Sequence, residues 1–149
     1  MDFAQLLRNA GLKVTNTRLA LLNLVEQGGR HMAADAITTG LHAAGISVDR
    51  VTVYRNIDRM QQEGILIPIC MPGKALSVGL CKKPNGPHHH HIFCSSCGRM
   101  EEADGCVVND NWEAIGRHQM ETNGFELTDH RLQYIGICPS CRMKRNGGD

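Results

Sequence analysis

Two CxxC pairs, Cys94-x2-Cys97 and Cys138-x2-Cys141, constrain this 149-residue chain more tightly than any other feature. Each pair offers two thiolates along one edge of a tetrahedron. Two such edges close it around an ion with no geometric preference of its own, the signature of a structural Zn²⁺. A four-cysteine set leaves no coordination position for substrate, so the ion serves folding. The 40 residues between the pairs exceed the usual zinc-ribbon spacing, so the ion ties the terminal segment back to an earlier strand. Bound zinc of this kind contributes about 10–16 kcal/mol at neutral pH. A redox-active dithiol pair is the alternative reading of the same spacing.

Directly before the first pair stand His88, His89, His90 and His91. The tract is internal and follows KKPNGP, whereas an expression tag is normally terminal. On an extended strand His89 and His91 share one side, and His88 and His90 share the other. Four thiolates already saturate the zinc, so the histidines are available to two further sites. Residues able to complete those sites are Cys81, His31, Glu101, Glu102, Asp110, His118 and His130. Cys70 and Cys106 are read as packing or surface thiols.

Hydrophobic residues make up 42% of the chain, enough for a buried core, but aromatics only 4%, so that core rests on Leu, Ile, Val, Met and Ala. The net charge of +1 says little about partners. Residues 1–74 carry eight Lys/Arg against six Asp/Glu, and residues 75–149 carry eight against nine, which places the basic surplus at the front. Without an apolar run of about 18 residues no membrane span is expected. MDFAQLLRNAG lacks the charged and apolar regions of a signal peptide, so a cytoplasmic location is expected, with thiols reduced or metal-bound.

Pro, Gly and Asn in residues 72–87 separate two blocks, 1–83 and 84–149. The first reads as helices over DFAQLLRNAG, over TNTRLALLNLVEQGG from a threonine cap, over HMAADAITTGLHAAG, which His31 opens, and over VDRVTVYRNIDRMQQEG from Asp49 to Gly64. ILIPICM and ALSVGLC follow as two strands around a PGK turn. Short helices followed by a strand pair outline a winged helix-turn-helix. In the fourth helix Val53, Ile57 and Met60 face inward, while Thr52, Arg55 and Arg59 share an exposed stripe suited to phosphate and base-edge contacts. A plain solvated face is the alternative. The second block reads as strand, helix and strand, too small to bury much by itself, so help from a metal or a second subunit is expected. The fold class is α+β: a winged helix-turn-helix followed by a small α/β dimerisation domain with a four-cysteine structural zinc site.

The segments LKVTNTRLALL, HMAADAI, TVYRNIDRMQQEGI, HHHHIFCSSCG and FELTDHRLQYIGICPSC, in this order and spacing, resemble the ferric uptake regulator family along nearly the full length. The resemblance implies a homodimeric, metal-dependent transcriptional regulator, usually a repressor when loaded, that binds a double-stranded DNA operator. Its DNA-binding half would be residues 1–83, with the hinge, and its dimerisation half residues 84–149. Thr15 and Arg18 of TNTR, with Tyr54 and Arg55, occupy positions associated with DNA contact. TNTR departs from the commoner TPQR, so the proline that stiffens the helix start is missing. Where iron- and peroxide-sensing members place a carboxylate this chain has Gly79, and it has Cys81 where zinc-sensing members place a thiolate. The donor many zinc sensors supply after the recognition helix falls at Ile67, which cannot ligate.

The sensing set implied is Cys81, His89 and His91, with His31 or Glu102 as fourth ligand. A secondary set is His88, His90, Asp110 and His130, with Asn109 as the alternative to Asp110. Thiolate plus imidazole favours Zn²⁺ over Fe²⁺ or Mn²⁺. The expectation is a zinc-responsive repressor of zinc uptake genes, of the zinc uptake regulator branch. Iron or peroxide sensing is the alternative, followed by a zinc-stapled interaction module without DNA affinity. Zinc hydrolysis would need an open site with a general base such as HExxH, and none is present, so no enzyme is expected.

Overall fold

The structure is a computed structural model that describes residues 1–29, 31–69, 75–81, 89–103, 105–106, 108, 111–130 and 132–146. It divides into two compact units, Met1–Asn85 and Gly86–Asp149.

In the first unit Asp2 caps helix α1 (Phe3–Asn9) and Thr15 caps α2 (Asn16–Gln27), its Oγ1 accepting the Arg18 N–H at 3.3 Å. These caps satisfy amide donors that a helix start otherwise leaves open. The sequence pattern predicts a helix beginning at His31, but His31–Ala33 form a short strand, β1, and helix α3 (Ala34–Ala43) starts only afterwards. The reason is tertiary. His31, Met32 and Ala33 pair with Gly79, Val78 and Ser77 of β3 (Ser77–Leu80), and the Ala34 N–H donates to the Leu76 carbonyl at 3.1 Å in place of a side-chain cap. Cross-strand hydrogen bonds outweigh the weak helix preference of three residues.

Helix α4 (Arg50–Gln62) starts at Asp49, whose carboxylate accepts the Thr52 N–H at 2.9 Å and the Thr52 hydroxyl at 2.6 Å. It stops before Gly64, whose φ of 67° suits a residue without Cβ. Strand β2 (Leu66–Ile69) then pairs antiparallel with β3, giving the sheet order β1-β3-β2. Leu7, Leu21, Leu22, Val25, Ile37, Leu41, Val53, Ile57, Met60, Leu66 and Leu80 form one buried cluster between helices and sheet. Each such side chain contributes roughly 1.5–3 kcal/mol of burial. This is the winged helix that the order of elements predicts. Cys70 and the PGK segment lie outside the described residues.

The second unit contains β4 (His90–Cys94), β5 (Met100–Ala103), helix α5 (Trp112–Asn123), β6 (Gln133–Gly136) and helix α6 (Pro139–Asn146). Strand β4 lies centrally, antiparallel to β5 and parallel to β6. Gly124, at φ 73°, ends α5 as its position predicts. Helix α6, which begins next to Cys138 and carries Cys141, is not evident in the hydrophobic pattern. Among the described residues Phe93, Cys94 and Met100 are the buried apolar ones here, and α5 fully buries none of its side chains. Ile92, Ile135 and Phe125 stay 41%, 51% and 70% exposed, a thin core for a domain of this length.

Candidate metal centres and nucleic-acid face

The four thiols that the sequence singles out meet in the second unit. Cys94 ends β4, Cys97 lies in the turn before β5, Cys138 follows β6, and Cys141 is on α6. Their Sγ atoms all lie within 4.8 Å of one another, and Cys97 and Cys138 are 3.8 Å apart. A tetrahedron with zinc–sulfur bonds of about 2.3 Å has an edge of about 3.8 Å, so the cluster fits that ion. The parallel β4–β6 pairing and the Ser95 N–H, which donates to the Gly136 carbonyl at 2.8 Å, bring the two knuckles side by side.

The backbone N–H of Cys138 donates to Cys94 Sγ at 3.3 Å, and this bond, with further N–H groups of its own knuckle, pulls the Cys94 thiol down to about 6. Cys141 is pushed the other way, to about 11. A hydrogen bond from Ser96 lowers it, but hydrogen bonding with Cys138 and Cys97, burial, and the nearness of Cys94 outweigh that bond. Crowded thiols resist ionising together, and a bound cation relieves that repulsion.

Among the described residues, His89 and His91 share one side of the strand, as its alternation predicts. His89 and His91 stand edge to face, with ring centroids 4.8 Å apart. Glu102 lies directly across the ladder from His91. Burial, then the nearby His89, and against them the Glu102 carboxylate, set the His91 imidazole at about 4, so it is neutral at ordinary pH. His91 Nε2 is buried with no hydrogen-bond partner among the described residues. A neutral, buried ring nitrogen with no donor facing it is suited to a cation.

In the first unit Cys81 follows β3 directly. Its thiol is buried, and its N–H donates to the Ile65 carbonyl at 3.0 Å. His31 sits on β1 opposite Gly79, with Nδ1 3.4 Å from the Gly29 carbonyl.

On the opposite face of β4 the structure departs from the sequence reading. Cys106, which the sequence marks only as a packing or surface thiol, stands between two imidazoles. Its Sγ is 3.0 Å from His90 Nε2 and 3.2 Å from His130 Nε2. The rings of His90 and His130 are 5.2 Å apart, and Trp112 packs 5.2 Å from His130. Cys106 follows β5 and His130 precedes β6, each far from His90 in sequence, so only the pairing of both strands with β4 reveals the cluster. His88, Asp110 and Asn109 lie outside the described residues. His118 is exposed on α5, and Glu101 is paired with Arg99 at 2.8 Å.

Of the side chains expected at DNA, Arg55 presents an exposed guanidinium on α4. Others on or near that helix already have intrachain partners. Arg18 Nε donates to Asn56 Oδ1 at 2.9 Å, which fastens α2 to α4, and the Thr52 hydroxyl donates to Asp49. Tyr54 donates to Asp35 at 3.1 Å, and Arg50 pairs with Asp35 at 2.7 Å. Arg59 lies 3.4 Å from Glu63. Exposed pairs of this kind contribute little and exchange readily for phosphate. Val51, 59% exposed and one turn before Arg55, adds an apolar group to the same face.

The sequence profile of the ferric uptake regulator family matches residues 9–135. The chain belongs to the ferric uptake regulator family. The ferric uptake regulation protein of Legionella pneumophila is 33% identical over 143 residues, covering 95% of this chain and all of that protein. The corresponding protein of Neisseria gonorrhoeae is 34% identical over 140 residues, covering 93% and 92%. Among solved structures, the Vibrio cholerae ferric uptake regulator superposes with a TM-score of 0.54 at 29% identity, over 92% of this chain and all of that one. A zinc uptake regulator solved with zinc and DNA superposes with a TM-score of 0.73 at 21% identity, over 97% and 93%, which bears on fold alone. Like other members of the ferric uptake regulator family, the chain is a metal-responsive, DNA-binding transcriptional regulator. No helix among its described residues is long and apolar enough to cross a membrane.

Proposed function

We propose that the chain is a cytoplasmic, homodimeric repressor of zinc uptake genes. It senses Zn²⁺ through Cys81, His89 and His91, with His31 or Glu102 as the fourth ligand, and keeps a second Zn²⁺ in the four-cysteine cluster. The observation that carries this reading is the chemistry of the donors. His91 keeps a neutral, buried nitrogen without a hydrogen-bond partner among the described residues, and just after β3 the chain supplies a buried thiol at Cys81, with Gly79 at the position where the resemblance puts a carboxylate in iron sensors. Thiolate with imidazole selects a tetrahedral d¹⁰ ion. The position of Glu102 directly across the ladder from His91 supports it as a fourth ligand. The chain's zinc uptake regulator neighbour is one whose zinc is bound together with DNA.

An ion held by Cys81 from the winged helix and by His89 and His91 from the second unit restricts the hinge between them. In a dimer that restriction sets the separation of the two α4 helices. Helix-turn-helix dimers read half-sites about one turn apart, so occupancy selects a shape that DNA accepts. Ile92, Ile135 and Ile137, 41%, 51% and 37% exposed, leave apolar side chains open on the second unit's sheet, and a second copy would cover them.

Iron sensing is the second reading, favoured by the names of the Legionella pneumophila and Neisseria gonorrhoeae relatives, both ferric uptake regulation proteins above 30% identity. Anisotropy of a labelled duplex carrying the promoter of a zinc importer gene from the same genome separates the two. Added to protein stripped of weakly held metal, Zn²⁺ is expected to bring about tight binding at concentrations where anaerobic Fe²⁺ does not. Binding driven by Fe²⁺ and not Zn²⁺ overturns the zinc reading, and binding indifferent to both overturns metal sensing.

Arg55 is the open cation on α4, and Val51 suits a thymine methyl. Arg55→Ala is expected to weaken operator binding by about 1–3 kcal/mol, with little change in melting temperature. A base-edge contact relaxes specificity at one position. A phosphate contact instead lowers affinity for all sequences and reduces the salt slope by about one.

A further inference from the structure

We propose that Cys106, together with His90 and His130, forms a thiolate-containing site for zinc or a similar borderline divalent cation. The family resemblance points to a secondary set of imidazoles and carboxylate, and on that resemblance Cys106 has no role. Three observations argue that it has one.

The first is convergence. One sulfur and two imidazole nitrogens come within 4.8 Å of one another from three separate segments: β4, the stretch after β5 and the stretch before β6. Around a tetrahedral ion, bonds of about 2.3 Å to sulfur and about 2.0–2.1 Å to nitrogen place those atoms about 3.5 Å apart. The separations of 3.0 and 3.2 Å need to open by only a few tenths of an ångström to admit one. Binding replaces the thiol proton, which passes to solvent, and the imidazoles bind as neutral rings.

The second is the surroundings. His90 is only 3% exposed, and the rings of Tyr134 and Trp112 stand against His90 and His130. Aromatic walls fix the imidazole planes and thin the water around the cluster, which strengthens attraction for a cation.

The third is donor chemistry. A carboxylate and imidazole set is open to Mn²⁺ and Fe²⁺, which accept octahedral oxygen-rich shells. A thiolate moves the preference toward tetrahedral Zn²⁺ and its spectroscopic stand-in Co²⁺. The ion would clip the segments flanking α5 to the central strand, in a unit whose longer helix fully buries no side chain of its own. The proposal is independent of which ion the Cys81 set senses.

Trp112, the chain's single tryptophan, supplies the reporter. Full-length protein with its four-cysteine zinc retained and Cys81→Ser in place, which removes the proposed sensing thiolate, is titrated anaerobically with Co²⁺. The expected result is a sulfur-to-cobalt charge-transfer band in the near ultraviolet and quenching of Trp112 emission, both saturating at the same equivalence. Adding Cys106→Ser should abolish the band and weaken binding by more than the roughly 10–100-fold seen when an outer-shell partner is removed. His130→Gln, in a segment outside helix and strand, should weaken binding similarly while leaving the sulfur band detectable at high Co²⁺, and it repeats the test should the serine variant fail to fold. Retention of the four-cysteine zinc confirms that each variant is folded. No charge-transfer band before Cys106 is changed, a band that survives Cys106→Ser, or unaltered cobalt affinity in both variants overturns the assignment of Cys106 as a ligand.

Discussion

Replacing Cys138 with serine is expected to release the metal of the four-cysteine cluster and unfold the second unit, while the winged helix keeps its own cooperative melt. The asymmetry follows from where apolar surface is buried. The first unit has a continuous core running from Phe3 to Leu80, and all of it comes from that unit's own residues. Among its described residues the second has Phe93, Cys94 and Met100, and its longer helix fully buries no side chain. In place of a larger core it has four sulfurs from both ends of the unit. The backbone N–H of Cys138 also donates to Cys94, so this residue supports a neighbouring thiolate as well as supplying its own. A serine hydroxyl stays protonated at neutral pH and is a poor zinc ligand. Up to about 10–16 kcal/mol of metal-linked folding energy is therefore at stake, as large as the whole stability of a typical domain. Chromophoric chelator titration should find one fewer tightly held metal per chain, and helical ellipticity should fall by the share of α5 and α6. A serine variant that keeps its metal and its melting profile would show that the cluster is not a structural site.

The pattern of legibility in the sequence follows the range of the interactions involved. Caps and stops written in neighbouring residues, such as Thr15, Asp49, Gly64 and Gly124, are readable because their partners lie within four positions. The four-cysteine set is readable from afar because two CxxC pairs allow few other chemistries. Strand β1 is not readable, since its conformation is decided by Ser77–Gly79, more than 40 residues away. Helix α6 is missed for a related reason: its short polar run has no apolar stripe to mark it. The Thr52, Arg55 and Arg59 stripe shows a middle case. Helical spacing places all three on one side, but it cannot show that Asp49 and Glu63 engage the outer two. Cys106 is the least legible. Alternation along β4 turns His90 to the second face, but the thiol and His130 reach it only through two separate strand pairings.

Replacing Cys81 with serine is expected to uncouple DNA binding from zinc while leaving the fold in place. Coupling of this kind is limited by populations. If the DNA-competent arrangement makes up about 1% of the metal-free ensemble, loading can raise operator affinity by at most about 100-fold. Removing the thiolate should return the zinc-treated protein to within a few-fold of its metal-free affinity. The backbone bond from Cys81 to Ile65 survives the substitution, and the four-cysteine cluster is untouched, so melting should change little. His91→Ala should have the same consequence for a different reason, by deleting the buried nitrogen that burial keeps neutral. The His91 variant also fixes the direction of the pH effect. An imidazole held at about 4 does not compete with protons above pH 5, so any loss of zinc response between pH 7 and 5 must come from groups other than His91. Anisotropy with and without zinc on the three proteins distinguishes these cases. Serine at Cys81 with full zinc-responsive binding would remove the thiolate from the sensing set and, with it, the chemical ground for preferring zinc over iron.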